Sequence, residues 1–221
     1  MTKLNLKIKI LDTAVTKLTC SFKAPNYKTH KGVDVVPNST SETPNVLAFD
    51  EGTVIAIGNV AGVNDSTGTA GMGTFVALRH PNGLVTRYEH LKYNCNKVRK
   101  GDKVRKGQPI GVYGRPATGN ARSGCHLHFD ISAPHLLGGD YIKGGFCGET
   151  RYYYDPIPYL ECKQAKITGA VNIRTGPGTT YSIAGELQKG EKITIYGRSG
   201  NWIRYEPINS RWIHKNYVRE V

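Results

Sequence analysis

The sequence predicts a mainly β protein built from antiparallel sheets, and three observations predict it. The 221-residue chain contains 26 Gly, 11 Pro and 13 Tyr but only 2 Met, which is typical of turn-rich, strand-rich domains rather than helical bundles. Several stretches alternate apolar and polar residues, as half-buried strands do. In RHPNGLVTRY, Asn82 and Gly83 separate two such stretches and predict a tight hairpin.

Strands are predicted in succession along the first 162 residues. The opening stretch MTKLNLKIKILD alternates Leu or Ile with polar residues and is predicted to form the first strand. Val33, Val35 and Val36 predict an extended segment that Pro37 closes. Further strands are predicted within VLAFDEGTVIAIGNV, GTFVALRHPNGLVTRYEHL, DKVRKGQPIGVYG and HLHFDI. We interpret the Lys-rich KVRKGDKVRKG as a solvated hairpin rather than a nucleic-acid contact.

A domain boundary is predicted at residue 162, after the proline-containing YYYDPIPYLEC, which gives domains at 1–162 and 163–221. The second contains ITGAVNIR, IAGEL, KITIYGR, WIRYE and RWIHK, short alternating segments typical of a small barrel or sandwich. It carries ten Lys or Arg against four Asp or Glu, a net charge of +6, whereas the first carries +7 over a much longer segment. This concentration of positive charge is typical of a module that binds an anionic surface.

The net charge of +13 predicts an anionic partner, which means nucleic acid, anionic lipid or an acidic polymer such as a cell wall. Charge that serves only solubility is the plain alternative. We expect no membrane insertion, because the sequence lacks a run of about 18 apolar residues. The start lacks the apolar block of a signal peptide, so we expect retention in the cytosol until release. The five cysteines are widely spaced without a CxxC, and we interpret them as reduced, mostly buried thiols.

The stretch GCHLHFDI, residues 124–131, places two histidines one residue apart in a predicted strand. Because positions i and i+2 share a face of a strand, His126, His128 and Asp130 point to the same side. Paired imidazoles on one face suit a metal or acid/base site better than an apolar core. Cys125 would face away from His126, which disfavours a Cys/His nucleophile. Asp130 is predicted either to contact a metal ligand from behind or to face solvent.

Two other histidines have informative neighbours. THKGVDVVP places His30 four residues before Asp34, and RYEHL places His90 at the end of a strand. Catalytic zinc sites commonly have three protein ligands and leave one position for water. His30, Asp34 and either His126 or His128 would complete such a set. The remaining histidine of that pair and His90 would supply proton chemistry, since imidazole titrates near neutrality.

The other three histidines are predicted to have no catalytic role. His80 lies beside the hairpin turn and is predicted at the surface, and His135 and His214 are assigned to the surface or to packing.

Taken in order, HKGVD, YEHL and CHLHF resemble the motifs of the lysostaphin-like zinc endopeptidases of cell-wall peptidoglycan, over about residues 24–160. The resemblance implies the duplicated hybrid-motif fold of that family, an antiparallel β-sheet domain. In the family, the HxxxD pair and the second histidine of HxH bind Zn²⁺, and the other two motif histidines act in catalysis. The corresponding positions here are the zinc ligands His30, Asp34 and His128 and the catalytic residues His90 and His126.

The sequence departs from the family pattern before HxH, where it reads ATGNARSGCHLHF instead of a TGxSTGxHLHF-like loop. This departure concerns a loop that shapes the substrate groove, and Asn120 in that loop is a candidate substrate contact. A tyrosine upstream of HxxxD contacts substrate in some relatives, and Tyr27 is the nearest candidate in this chain.

The tail resembles the bacterial SH3-like wall-binding barrels over residues 166–218, through VNIRTGPGTTYSIAGELQKGEKITIYG and WIHKNYV. We expect exposed aromatic residues of this barrel to contact peptidoglycan, namely Tyr181, Trp202, Tyr205 and Trp212. An equal alternative is that Trp202 and Trp212 belong to the core.

The resemblance implies a zinc endopeptidase that cuts peptide cross-links of bacterial peptidoglycan. We expect a monomeric phage endolysin without a nucleic-acid partner, held in the host cytoplasm until it reaches the wall. A bacterial autolysin or a bacteriocin-type wall hydrolase is the alternative of the same class. Other classes remain open: a phosphate-carrier domain of a sugar phosphotransferase, a non-catalytic wall-binding protein, and a nucleic-acid binder. Asp34 disfavours the carrier, which would not need a metal-binding carboxylate.

Overall fold

The computed structural model describes residues 2–3, 6, 8–39, 41–58, 73–114, 125–133, 153–206 and 211–221. The chain divides into two compact units, Met1–Pro156 and Ile157–Val221. The first unit ends before the predicted boundary at residue 162. The short helix α1 (Ile157–Leu160) belongs to the second unit, where the ring of Tyr159 lies 5.1 Å from that of Tyr196. No helix among the described residues is long and apolar enough to span a membrane.

The first unit is an antiparallel β structure, as predicted. Its strands are β1 (Thr2–Lys3), β2 (Thr16–Cys20), β3 (Val33–Pro37), β4 (Asn45–Leu47), β5 (Gly52–Gly58), β6 (Thr74–Arg79), β7 (Val85–Leu91), β8 (Lys103–Val104), β9 (Pro109–Val112), β10 (Leu127–Ser132) and β11 (Tyr153–Tyr154). Among the described residues, one sheet has the order β1-β2-β3-β10-β7-β6-β5-β8, with β11 paired to β10. Strands β4 and β9 pair with each other separately.

Two sequence predictions for this unit are confirmed. Strands β6 and β7 form the predicted hairpin, with Gly83 at a φ of 82° and its amide bonded to the carbonyl of His80. A positive φ favours glycine, which explains the Asn-Gly pair. Strand β10 alternates as expected: Leu127, Phe129 and Ile131 lie in the core.

Two other predictions are wrong. In the opening stretch, the described residues are a strand only at Thr2–Lys3, and Ile8 and Ile10 are buried in irregular backbone. The Lys-rich stretch, residues 97–107, is not a hairpin, although its basic side chains are exposed as expected. It contributes β8, which pairs with β5, and the strand that follows it, β9, pairs with β4 in a different sheet.

His80 is buried, contrary to its predicted surface position, and only 4% of it is exposed. Its Nδ1 lies 2.7 Å from the carbonyl oxygen of Glu51, and its Nε2 lies 2.8 Å from the hydroxyl of Thr86. The hydroxyl of Tyr88 continues this buried chain and accepts a hydrogen bond from the amide of Phe49. The side chain is therefore a satisfied polar member of the core, where burial lowers its pKa.

The second unit is a small antiparallel β structure. Its strands are β12 (Lys163–Ile167), β13 (Val171–Arg174), β14 (Ile183–Leu187), β15 (Lys192–Ile195), β16 (Gly197–Ser199), β17 (Trp202–Glu206), β18 (Arg211–His214) and β19 (Val218–Glu220). They form a sheet in the order β15-β12-β19 and another in the order β14-β13-β18-β17-β16. The core consists of Ala165, Ile167, Val171, Leu187, Ile193, Ile195, Ile203 and Ile213.

The aromatic residues of this unit differ in role. Trp202 and Trp212 are half-buried and lie outside that core, Tyr205 packs against it, and Tyr181 is exposed. Tyr205 therefore does not match its prediction as an exposed aromatic.

The four described cysteines are free, as predicted. Only Cys162 is fully buried among them, whereas the sequence predicted mostly buried thiols. The fifth, Cys147, lies outside the described residues.

Candidate metal centre and catalytic site

Strand register brings distant motifs together at the middle of the large sheet. Strand β10 lies between β3 and β7, so that His128 stands opposite Asp34 on one side and Glu89 on the other. Residues paired across strands have side chains on the same face. The HxxxD and HxH motifs therefore meet on the face of β10 opposite to its core face.

A short loop before β3 delivers His30 to this face. The amide of His30 bonds to the carbonyl of Tyr27, and its carbonyl accepts from the amide of Lys23. The ring is held as well, since Nδ1 lies 2.7 Å from the carbonyl oxygen of Ser21. Because a carbonyl can only accept, Nδ1 carries the proton and the lone pair of Nε2 is directed at the site.

Three ligand atoms converge there. His30 Nε2 lies 3.1 Å from Asp34 Oδ1 and 3.1 Å from His128 Nδ1, and the latter two atoms are 2.9 Å apart. Tetrahedral zinc with bonds of about 2.0–2.1 Å requires ligand atoms roughly 3.3–3.4 Å apart. This triangle of lone pairs fits a small divalent cation after a few tenths of an ångström of expansion.

Gly32 leaves the space that this arrangement needs. A Cβ at this position would lie 2.3 Å from the carbonyl oxygen of Phe129 and 2.9 Å from both Asp130 Cβ and His128 Nε2. Any side chain would collide with the backbone of β10 and displace the imidazole. The glycine of HKGVD is thus part of the site, although the sequence identified only the histidine and the aspartate beside it.

Two neighbouring clusters also bring metal-binding side chains together, within 4.8 Å of one another: Cys20 with His30 and Asp34, and Glu89 with His128 and Asp130. Burial and the charge of Asp34 raise the pKa of Cys20, which disfavours the thiolate form that binds metals. In the other cluster, Arg87 already occupies the carboxylates. The predicted triad is therefore the set best suited to a metal.

Electrostatic interactions couple Asp34 and His128. Burial favours neutral Asp34, but hydrogen bonds from His128 and His30 outweigh it and hold the pKa of Asp34 below its usual range. Burial also opposes a charge on His128, yet Asp130 and Asp34 raise its pKa to about 10. The close contacts between Asp34 and the two imidazoles contribute to both shifts.

His90 reaches the site through a β-bulge. Strand β7 has an irregular register opposite Thr74 and Val76, and His90 adopts a φ of 63°. This left-handed conformation costs an L-residue about 1–2 kcal/mol, and such strain is concentrated at functional sites. The ring of His90 lies 4.7 Å from that of His126 and 6.2 Å from that of His128.

The two remaining predicted site residues have different outcomes. Tyr27 is 53% exposed and stacks on His30 with ring centroids 5.0 Å apart, at the rim of the site. Asn120 lies outside the described residues, as does His135. His126 stands immediately before β10 with its Nε2 3.8 Å from Asp34 Oδ1, next to the triangle. The five motif residues thus lie together.

Sequence reasoning missed Arg87 and Glu89. Arg87 Nη2 lies 2.6 Å from Asp130 Oδ2, and Arg87 Nε lies 2.8 Å from Glu89 Oε1. Asp130 is fully buried and does not face solvent. Burial favours its neutral form, but Arg87 outweighs this and lowers the pKa of Asp130. The sequence signal for these two residues is the alternation of charged side chains in TRYEHL. It becomes informative only once the pairing register of β7 and β10 is known.

A known protein family matches each of the two parts of the chain. Residues 28–141, just over half of the chain, match peptidase family M23. Residues 169–219 match the bacterial SH3 domain.

Similar individual proteins were also found. The peptidoglycan DD-endopeptidases ShyA and ShyC of Vibrio cholerae serotype O1 are 42% and 39% identical to this chain over 59 residues. This segment is 27% of the chain and only 13% and 12% of those proteins. The antimicrobial peptidase lysostaphin from Staphylococcus simulans has a structure with 19% identity and a TM-score of 0.45, covering 90% of this chain and 87% of that one.

Proposed function

The chain belongs to peptidase family M23, and from this premise we propose that it is a zinc-dependent endopeptidase that hydrolyses peptide cross-links of bacterial peptidoglycan. The observation that carries the proposal is the triangle of His30 Nε2, Asp34 Oδ1 and His128 Nδ1, with sides of 2.9–3.1 Å. The peptidoglycan endopeptidases that share a segment with this chain support the choice of substrate.

We assign different catalytic roles to the triad and to the two histidines beside it. A zinc ion held by the triad would supply a Lewis acid for the scissile carbonyl and for the attacking water. His90 and His126 stand side by side next to the ligand atoms, at 4.7 Å between ring centroids. We propose that one of them accepts the proton of the attacking water and that the other donates a hydrogen bond to the developing oxyanion.

Chelation tests the proposal directly. Treatment of the purified protein with a strong chelator should abolish the loss of turbidity of a bacterial wall suspension, and one equivalent of zinc should restore it. Wall lysis that persists in metal-free protein would overturn the metal mechanism. A protein that binds zinc at the triad but releases no fragments would support the non-catalytic alternative.

We propose further that the second unit binds the wall through a groove of about 360 Å³ on its surface. Trp202 and His214 form one wall with their rings in a T-shaped contact at 5.3 Å, and the exposed Tyr217 also lines the groove. Ala170 and Val171 also line the groove, and we propose that their small side chains suit a peptide of small residues. Tyr181, Tyr205 and Trp212, which the sequence predicted as contacts, do not line it.

Co-sedimentation with purified walls tests this groove. Trp202→Ala and Tyr217→Ala should each weaken wall binding, because aromatic rings supply most of the contact area of such a site. The matched control is Ile183→Ala, since Ile183 is apolar and 57% exposed but lies outside the groove. Equal binding by all three variants would assign wall affinity to the positive charge alone, and that binding would disappear in high salt.

The proposed biological setting is a phage endolysin that is held in the host cytoplasm and reaches the wall after membrane breach. The pairing of a peptidase domain with a bacterial SH3 domain and the net charge of +13 support it. An autolysin or bacteriocin is the second candidate. Expression inside a susceptible bacterium distinguishes them: an endolysin should leave cells intact until the membrane is permeabilised, and lysis without permeabilisation would contradict this setting.

A further inference from the structure

We propose that Asp130, clamped by Arg87, is a positioning residue that holds His128 with its Nε2 proton turned inward and its Nδ1 directed at the metal. The inference rests on the proposed zinc site. Asp130 itself contributes no atom to the triangle of ligand atoms and acts through His128, whose Nε2 lies beside it.

The clamp is built by strand register. Asp130 on β10 stands opposite Arg87 on β7, two residues along from the pair formed by His128 and Glu89. Both the Nε and Nη2 atoms of Arg87 donate to Asp130 Oδ2, at 2.9 and 2.6 Å. The Nε atom also lies 2.8 Å from Glu89 Oε1.

The clamp is buried, and a contribution to stability does not by itself account for its charges. Only 3% of Arg87, 7% of Glu89 and none of Asp130 is exposed. Buried ion pairs often contribute no more stability than apolar residues of the same volume. Here the cluster contains two carboxylates for one guanidinium, so a negative charge remains for a neighbour to use.

The neighbour that can use this negative charge is the Nε2 side of the His128 ring. Its Nε2 lies 3.6 Å from Asp130 Oδ2, a charge contact longer than a hydrogen bond. The second oxygen, Oδ1, is buried and makes no hydrogen bond within the part of the chain that is described. The space beside Nε2 is tight, because a Cβ on Gly32 would lie 2.9 Å from it. An acceptor for this N–H must therefore come from the protein.

The position of Asp130 determines which nitrogen of the His128 ring faces the metal. An imidazole that binds a metal through Nδ1 carries its proton on Nε2, and a carboxylate beside that proton raises the basicity of the ligand atom. Arg87 prevents the same carboxylate from binding a metal on the inner side, because its guanidinium already occupies Oδ2. Only the outer face of His128 is then available to zinc.

The experiment measures zinc affinity by competition with a chromogenic chelator, for the full chain and for three variants. Asp130→Asn keeps the shape but removes the charge, and it should weaken zinc binding about 10–100-fold. Glu89→Gln changes the other carboxylate on Arg87 and should alter zinc affinity by less than about threefold. Ile131→Val, on the core face of the same strand, lowers stability by about 0.5–1.5 kcal/mol and should leave zinc affinity unchanged.

A spectroscopic readout separates positioning from folding. In the zinc-loaded protein, the Nε2–H proton of His128 should give a slowly exchanging resonance coupled to ¹⁵N, and this resonance should exchange faster in Asp130→Asn. Should Asp130→Asn fail to fold, Arg87→Lys keeps the charge but loses the second donor, and it should show a smaller loss of affinity in the same direction.

The outcomes distinguish the two proposals. Wild-type protein that binds no zinc would contradict the proposed function itself. Tight zinc binding that is equal in wild type and Asp130→Asn would overturn only the positioning role, and an equal loss in Glu89→Gln would remove its assignment to Asp130.

Discussion

The two faces of strand β10 differ in the kind of side chain that they bury. On one face, Leu127, Phe129 and Ile131 are buried in an apolar core. On the other face, His128 and Asp130 are buried among charged and polar side chains, with His128 Nδ1 2.9 Å from Asp34 Oδ1 and His128 Nε2 3.6 Å from Asp130 Oδ2. Burial of the apolar side chains stabilises the fold, whereas burial of the charged side chains costs part of that stability. We propose that this cost maintains the geometry of the candidate metal site.

The comparison shows why the site lies at the middle of the sheet. Strands β3 and β7 hold β10 on both sides, so that its backbone cannot relax to separate the crowded ligand atoms. A site at an edge strand would have one such support. The core face therefore supplies the rigidity that the site face requires.

The largest effect is expected from a ligand on the site face. His128→Ala should abolish both zinc binding and wall lysis, because two ligands cannot hold the ion in a closed geometry. Bound zinc per protein, measured by elemental analysis, should fall from one to near zero while the protein stays folded. Retention of a full equivalent of zinc would place the metal elsewhere.

Substitution of the two histidines proposed for catalysis should lower turnover without removing the metal. His90→Ala and His126→Ala should each lower the rate of wall hydrolysis about 10²–10⁴-fold, the usual contribution of a general acid or base. Both variants should keep one zinc, since neither histidine belongs to the triangle. A His90→Ala protein with full activity would remove that histidine from the mechanism.

Substitutions on the core face should lower the stability of the fold rather than remove a catalytic or metal-binding group. Phe129 packs against Tyr88 and Phe49 at ring distances of 5.2 and 6.0 Å. Phe129→Ala should lower the free energy of unfolding by about 3–5 kcal/mol, measured by urea denaturation. A small loss would mean that the core does not depend on this strand, and the contrast between the faces would disappear.

Buried His80 should make the stability of the core depend on pH. Burial lowers the pKa of His80 in the folded state, so the unfolded chain binds the proton more readily. Its contribution is present above the unfolded pKa of about 6.5 and is lost as the pH falls below it. The urea midpoint should drop between pH 7.5 and pH 5.5, and the drop should be smaller in His80→Gln. Identical drops in the two proteins would contradict this role.

The smallest effect tests the strained backbone of His90. Its φ of 63° suits glycine better than any L-residue. His90→Gly should therefore be more stable than His90→Ala by about 1 kcal/mol, although both lack the imidazole and should be inactive. Equal stability would show that the bulge is not strained.

Sequence alone predicted the parts of this account that depend on local pattern. The alternation of HLHFDI gave the faces of β10, and Asn82-Gly83 gave the hairpin, because period and turn chemistry are properties of adjacent residues. The assignment of His30 and His90 to one site rested on the chemistry of zinc ligands and on the resemblance to a family. No local rule could bring them together, since they are far apart in the chain.

Other features depended on pairing that sequence does not contain. The clamp of Arg87 on Asp130 exists only in the observed register of β7 and β10. The bulge that turns His90 toward the site breaks the alternation that predicted its strand. In the second unit, ITGAVNIR was read as one strand, but its two ends belong to β12 and β13 in different sheets.

Anomalous diffraction at the zinc edge, on crystals of the zinc-loaded protein, tests the central claim most directly. We predict a single strong peak in the first unit, about 2.0–2.1 Å from His30 Nε2, Asp34 Oδ1 and His128 Nδ1. A peak between Glu89 and Asp130, a peak bound to Cys20, or no peak in the first unit at saturating zinc would contradict it.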